Sequence, residues 1–227
     1  MSRVDLLKNV SFFAALSEPE LDSLARCLVR RTFARGVIIF HKDSPGRTLY
    51  IIESGKVRIF VLSESGREIS VNIYGPGDVF GELALLDGLP RSAGAMVVEK
   101  TTVLTLHRDD FLWHLGKYPR MARSIIEILS ARIRYTTVYA ESLAFLDVYG
   151  RVAEKLLELC DRYGVERADG IEIDLHLTQS ELASWVAATR EHVNRVLGAF
   201  RDQGLIKIEG QRIVVLDRPK LQRWVVE

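Results

Sequence analysis

The chain has 227 residues, 48% of them hydrophobic and 27% charged, enough apolar material for one large core or two modest ones and too much for a disordered tail. Lys and Arg number 31 against 30 Asp and Glu, a formal charge of +1, so no global field advertises a nucleic-acid or membrane partner and any basic surface must be local. The two cysteines, Cys27 and Cys160, lie far apart within apolar helical stretches, which argues against a disulfide framework, a redox pair or a Cys-rich metal site and fits a reducing cytoplasm. No run approaches the roughly 18 apolar residues of a membrane span.

Residues 4–28 read as short helices: Leu6, Leu7, Val10, Phe12 and Phe13, then Ser17-Glu18-Pro19-Glu20 as a capped start for Leu21, Leu24, Ala25 and Leu28 at helical spacing. From about 29 to 107 the period shortens. Val37–Phe40, Leu49–Ile52, Val57–Val61, Ile69–Ile73 and Val103–Leu106 are β-rich runs separated by Pro45-Gly46, Ser54-Gly55, Ser65-Gly66 and Gly75-Pro76-Gly77, a spacing that predicts a β-barrel or roll. Helical periodicity returns near Asp109 with a break at Tyr118-Pro119. Residues 119–146 read as one helix about 42 Å long, more than a compact core needs to cover. Ala122, Ile126, Leu129, Ile133, Ala140 and Leu143 form a heptad-like seam interrupted at Thr136, with Thr137 beside it, the pattern of a helix that pairs with a copy of itself in a homodimer. After Gly150 come another helix, a turn at Arg167–Gly170 and a compact last domain. That last stretch, from Tyr149 onward, carries 12 basic against 13 acidic residues, so charge alone does not mark it as a DNA binder.

Between Gly75 and Ala93, small residues, one guanidinium and one hydroxyl sit among apolar neighbours. Arg91 with the Ser92 hydroxyl and nearby amides suits an anion such as a phosphate. Glu82, opening the apolar turn Leu83–Leu86, is an acceptor for a sugar hydroxyl, and Gly81 lets the backbone approach. In the last domain Thr178-Gln179-Ser180-Glu181 is a capping box followed by Leu182, Ala183 and Val186, and Thr189 is an N-cap for Arg190–Phe200. With a helical turn of about 100° per residue counted from Arg190, the residues Glu191, Asn194 and Arg195 fall between about 40° and about 140°. Val193, Val196, Leu197 and Phe200 fall between about 240° and about 340°, on the opposite side. Two short helices with a tight turn make a helix-turn-helix, and a polar face of Arg, Glu and Asn suits base edges in the major groove. His41, His107, His114, His176 and His192 show no metal-ligand or His/Asp cluster, so no metal and no hydrolytic catalysis are expected.

Phe80-Gly81-Glu82-Leu83-Ala84 through Arg91-Ser92-Ala93 resembles the phosphate-binding cassette of cyclic-nucleotide-binding domains, and Asp43–Gly46, Leu49–Ile52 and Ser54–Val57 extend the resemblance over the domain. Leu143–Arg151 resembles the hinge of the Crp/Fnr family, and Arg190-Glu191-x-x-x-Arg195 after Thr178-x-x-Glu181-Leu182-Ala183 resembles its recognition helix. Gly204–Ile206 and Ile213–Val215 resemble the wing. The resemblance, closest to the catabolite-activator branch, implies an α+β chain of three parts: a cyclic-nucleotide-binding β-roll at 1–117, a long dimerisation helix and hinge at 118–147, and a winged helix-turn-helix at 148–227. It implies cyclic AMP as effector, held by Gly81, Glu82, Leu83, Ala84, Arg91, Ser92 and Ala93 with Thr136 and Thr137 at the adenine. It implies DNA contacts by Thr178, Gln179, Arg190, Glu191, His192, Asn194 and Arg195 on a palindromic operator, and RNA polymerase as a further partner; residues 64–67 and 162–170 are candidate loops for that contact by position alone. Two features depart from the family: Ala187 stands where Gly is frequent, and Asn194 is bulkier than the usual small residue. The alternatives are a regulator of the same fold that senses cyclic GMP or no ligand, a regulatory subunit, and a hydrolase. A regulatory subunit has no need of the Arg190-Glu191-Arg195 face.

Overall fold

The computed structural model describes residues 3–64, 66, 68–175 and 178–225; Ser65 of the Ser65-Gly66 turn, Arg67 of one candidate loop, and His176 lie outside them. Two compact units emerge, one of Met1–Gly66 and Val71–Arg134, the other of Arg67–Ser70 and Tyr135–Glu227.

The first unit opens with α1 (Arg3–Lys8), a 3-10 turn (Ser11–Phe13) and α2 (Glu18–Arg26). The start of α2 is the expected capping box, with Glu20 accepting from the Ser17 amide at 2.7 Å. Six strands follow: β1 (Val29–Phe33), β2 (Ile38–Phe40), β3 (Thr48–Leu62), β4 (Glu68–Tyr74), β5 (Val79–Phe80) and β6 (Gly94–His107). The path is β1-β6-β3-β4, with β2 on β6 and β5 on β3. The runs at 49–52 and 57–61 suggest separate strands, but they form the single 15-residue β3. Ser54-Gly55 is a bulge rather than a turn: the register with β6 shifts across residues 52–57, Gly55 has φ +87°, and a Cβ there would lie 2.5 Å from the Lys100 carbonyl oxygen. Likewise β6 begins at Gly94, well before the apolar run at 103.

The period-2 alternation of β3 serves two cores. Leu49 and Ile51 join Leu7, Phe12, Phe13, Leu24, Leu104, Leu106, Phe111, Met121 and Ile125. Ile52 and Val57 join Phe80, Ala95 and Val103, with Phe40, Tyr50 and Tyr74 packed alongside. Each fully buried Val, Leu, Ile, Phe or Met side chain among them contributes about 1.5–3 kcal/mol of transfer free energy. After α4 (Arg108–Lys117) comes α5 (Pro119–Phe145), which presents two apolar stripes. Met121 and Ile125 are buried in the first core and Leu129 packs partly against it, whereas Ile126, Ile133 and Phe145 are 63%, 67% and 81% exposed. The expected seam is thus a surface of the chain, with Leu129 shared by the core.

The second unit holds the end of α5, then α6 (Val148–Tyr163), β7 (Gly164–Arg167), β8 (Gly170–Ile173), α7 (Gln179–Trp185), α8 (Arg190–Asp202), β9 (Ile206–Glu209), β10 (Arg212–Val215) and α9 (Arg218–Arg223). Asp147 caps α6 by accepting from the Gly150 amide at 2.8 Å. The sheet order is β7-β8-β10-β9, and the β7–β8 hairpin occupies the turn expected at 167–170. Trp224 stacks on Tyr149 at 5.3 Å and lies 5.6 Å from Phe200, so the C-terminal segment closes this core. Among the described residues no helix is long and apolar enough to cross a membrane.

Both cysteines are free thiols. Burial pushes the Cys160 thiol up to about 11 and the Tyr139 phenol up to about 12. These groups keep their protons in the folded state above the ordinary values of 9.0 and 10.0. Their contribution is therefore complete below pH 9 and disappears as pH climbs through 11 to 12. Urea unfolding at pH 7.5 and pH 10.5 should show a lower midpoint at the higher pH; equal midpoints would contradict the burial assigned to these groups.

Candidate ligand site and nucleic-acid interface

Gly81 follows β5 with φ +79° and leads into α3 (Leu83–Leu86), whose Leu85 and Leu86 amides donate to the Glu82 carbonyl at 2.9 and 3.0 Å. Opposite lies Arg91, only 4% exposed. Its Nη1 donates to the Gly81 carbonyl and its Nη2 to the Thr48 carbonyl, both at 2.6 Å, and the guanidinium stands 4.2 Å from the Phe40 ring centroid. The 43–46 turn fixes its backbone: Asp43 N donates to the Arg91 carbonyl at 2.8 Å and Arg91 N to the Ser44 carbonyl at 2.9 Å, with Asp43 itself at φ +64°. A Cβ on Gly46 would lie 2.5 Å from Ala84 Cβ and 2.8 Å from Arg91 Nε, and one on Gly81 would lie 2.6 Å from Arg91 Nη1. Two glycines therefore make room for one guanidinium.

Arg91 Nε is buried without an acceptor, and among the described residues no carboxylate forms an ion pair with Arg91. Burial lowers the pKa of this guanidinium from its ordinary value, while Tyr50 and Glu82 act the other way. A buried guanidinium with an unmet donor gains from an acceptor brought to it. Glu82, by contrast, is already paired: Arg132 of α5 donates to its Oε1 at 2.7 Å, also donates to the Val79 carbonyl, and lies 4.7 Å from the Tyr74 ring centroid. The sequence reading singled out Glu82 but not this partner, which lies 50 residues further on. A signal was available, because Arg132 falls at helical spacing after Met121, Ile125 and Ile128, a charge on the buried stripe of an amphipathic helix. Ala84 is buried, Ala93 half-buried, and Leu83 and Ser92 are exposed. Thr136 and Thr137 are exposed on the part of α5 that belongs to the second unit.

In that unit the capping box at Thr178 forms as expected. Its hydroxyl accepts from the Glu181 amide at 3.2 Å and donates to Glu181 Oε2 at 2.7 Å, while its own amide donates to that oxygen at 2.8 Å. The turn passes through Ala187 at φ +50°, and the Thr189 hydroxyl then caps α8 by accepting from the His192 amide at 3.2 Å. Val193, Val196, Leu197 and Phe200 are buried, His192 is half-buried, and Arg190, Glu191, Asn194 and Arg195 are exposed, so the two faces computed from helical angles are those observed. Gln179 Nε2 donates to Asn194 Oδ1 at 3.0 Å, tying the first helix to the polar face of the second. The expected wing is the antiparallel β9–β10 hairpin, turned at Gly210 with φ +66°.

These two sites coincide with two family models: the cyclic nucleotide-binding domain matches residues 30–118 and the Crp-like helix-turn-helix domain matches residues 150–224. The CRP-like cAMP-activated global transcriptional regulator of Mycobacterium tuberculosis is 34% identical over 219 residues, covering 96% of this chain and 98% of that protein. The chain belongs to the Crp/Fnr family. The cyclic AMP receptor protein of Thermus thermophilus is 33% identical over 202 residues, covering 89% and 90% of the two chains. Among solved structures, the c-di-GMP responsive global regulator CLP of Xanthomonas campestris superposes with a TM-score of 0.79 at 26% identity over 88% of this chain and 99% of that one. This member of the Crp/Fnr family is a cyclic-nucleotide-binding transcription regulator with a DNA-binding helix-turn-helix. Its reading head carries one strained residue, Ala187, in the left-handed region. Ala187→Gly should raise the stability of the folded chain by roughly 0.5–1 kcal/mol, after allowance for the entropy glycine adds to the unfolded state. Chemical denaturation measures this, and an unchanged or lower midpoint would show that the turn carries no strain.

Proposed function

We propose that the chain is a cyclic-AMP-responsive regulator that acts as a cytoplasmic homodimer on a palindromic operator and has no catalytic activity. The observation that carries this reading is the buried Arg91 guanidinium, which has an Nε without an acceptor and sits in a roll that matches the cyclic nucleotide-binding domain. A cyclic phosphate supplies both the missing acceptor and the missing charge, with Ser92 as a second donor. Gly81 admits the ribose, and Glu82 receives its hydroxyl while Arg132 holds the other side of the carboxylate. Thr136 and Thr137 address the adenine. The exposed Ile126 and Ile133 are what a second copy of α5 would cover. On DNA, Arg190, Glu191 and Arg195 contact bases, Thr178, Gln179 and His192 contact phosphates, and Asn194 contributes to the half-site. Recognition helices about 34 Å apart then meet successive major grooves, and RNA polymerase is the further partner. Preference for cyclic AMP is supported by the names of the Mycobacterium and Thermus relatives; the name of the Xanthomonas regulator supports a test of cyclic di-GMP as well.

Calorimetric titration with cyclic AMP, cyclic GMP and cyclic di-GMP should give cyclic AMP as the tightest ligand. Arg91→Ala should weaken it by roughly 10- to 150-fold, the equivalent of a lost charge-assisted hydrogen bond. Undiminished binding by Arg91→Ala would remove Arg91 from the site, and tighter binding of another nucleotide would change the effector. For the reading head, selection from random duplexes should show that Glu191→Ala relaxes base choice at its contacted position by about 1–3 kcal/mol. A selected motif identical to that of the parent would take Glu191 off the bases.

A further inference from the structure

Four exposed polar side chains make up the reading face of α8: Arg190, Glu191, Asn194 and Arg195. Among the described residues Arg190, Glu191 and Arg195 make no side-chain hydrogen bond or ion pair, so their heads are free to follow a base or a phosphate. Asn194 differs, because Gln179 Nε2 donates to its Oδ1 at 3.0 Å. Gln179 is the first residue of α7 and is half-buried, and the Thr178 capping box fixes where that helix starts. On the other side, Val193 before Asn194 and Val196 after it are fully buried. Both ends of the bond therefore stand on anchored backbone, and Asn194 lies at about 40° on the helix, between Arg190 and Glu191.

An asparagine amide carries one oxygen acceptor and two N–H donors. To grip adenine it offers both ends side by side, Oδ1 to the N6 amino group and Nδ2–H to N7. Here Oδ1 is turned toward Gln179, and the planar amide carries Nδ2 on the side away from it. We propose that Asn194 determines specificity as a donor only, selecting a keto base: guanine through O6 or thymine through O4. An amino group in the same place, N6 of adenine or N4 of cytosine, sets donor against donor. Gln179 is the positioning residue that fixes this polarity. The second hydrogen on its Nε2 remains for a phosphate, so the bond to Asn194 adds to the phosphate contact proposed above. The inference rests on the reading of α8 as the recognition helix and names the base class at one of its positions.

Selection from random duplexes by the full-length protein, with and without cyclic AMP, tests this. Asn194→Ala should level one position of the half-site and leave the others as they were. Asn194→Asp has no donor and can only accept, so its choice at that position defines the orientation that offers an amino group. The parent should prefer the exchanged base pair there by about fivefold, the low end for a base-edge contact. Gln179→Glu should reverse the parent's choice and match Asn194→Asp, because a carboxylate cannot donate to Oδ1 but accepts from Nδ2–H, which turns the amide round. The added negative charge weakens binding to every duplex, so base choice is the quantity read. The inference fails if the parent and Asn194→Asp share a preference, if Asn194→Ala leaves every position unchanged, or if Gln179→Glu weakens all sequences alike with the parent's motif, the mark of a phosphate contact alone. Each of these outcomes leaves the recognition-helix reading standing. A parent that selects no motif under either condition overturns that reading and this inference with it.

Discussion

Moving a guanidinium out of water costs several kcal/mol unless its charge and its donors are met, and Arg91, 4% exposed, has been moved almost completely. The compensation comes mainly from two backbone carbonyls and the face of Phe40, dipoles and a quadrupole rather than a direct ion pair. Much of the first unit's local geometry follows from fitting this group in. Gly46 and Gly81 lack side chains where a Cβ would strike it, Asp43 adopts a left-handed conformation in the turn that bonds to its backbone, and β3 ends its pairing with β5 beside it. These contacts fix the guanidinium in place, and a fixed partner keeps the reorganisation cost of binding low for the anion proposed above.

The second unit solves a different problem, namely how to present a polar helix face at fixed orientation. α8 achieves this with a buried stripe of Val193, Val196, Leu197 and Phe200, while the caps at Thr178 and Thr189 fix where both helices begin. Phe200 continues into the ring cluster with Tyr149 and Trp224, so the recognition helix is anchored to the start of α6 through one continuous apolar contact. Glu172 adds a polar anchor in the sheet: it is 7% exposed and held between Arg167 at 2.6 Å and Arg212 at 3.0 Å.

Much of this was legible in the residues because short-range chemistry decided it. Ser17, Thr178 and Thr189 announced helix starts through side chains that reach only three residues ahead, and the angular split of α8 followed from its 3.6-residue period. What escaped reading depended on distant partners. Ser54-Gly55 has the composition of a turn, and only the passage of β6 alongside, with Thr101 where a side chain would otherwise stand, makes it a bulge in one long strand. Arg132 meets Glu82 across 50 residues of sequence, a pairing no local pattern encodes. The cassette from Gly81 to Ala93 was recognisable by its resemblance, yet sequence spacing does not reveal which carbonyls and rings close around a side chain. Thr48 and Phe40, which cradle the guanidinium, carried no mark of that task.

The joint between α5 and α6 has a mechanical meaning of its own. α5 ends at Phe145 and α6 begins at Val148, so two residues separate two rods. Both are pinned: the Leu146 carbonyl accepts from Arg151 Nη1 at 2.7 Å, and Asp147 caps the helix that follows. Such a connection has almost no slack along its length and moves only by rotating about a handful of backbone dihedrals. α6 is then a lever about 24 Å long, and a swing of roughly 10° at its pinned end displaces its far end by about 4 Å. A small rotation at the pinned end thus becomes a displacement on the order of a few ångströms at the other, in proportion to the length of one helix.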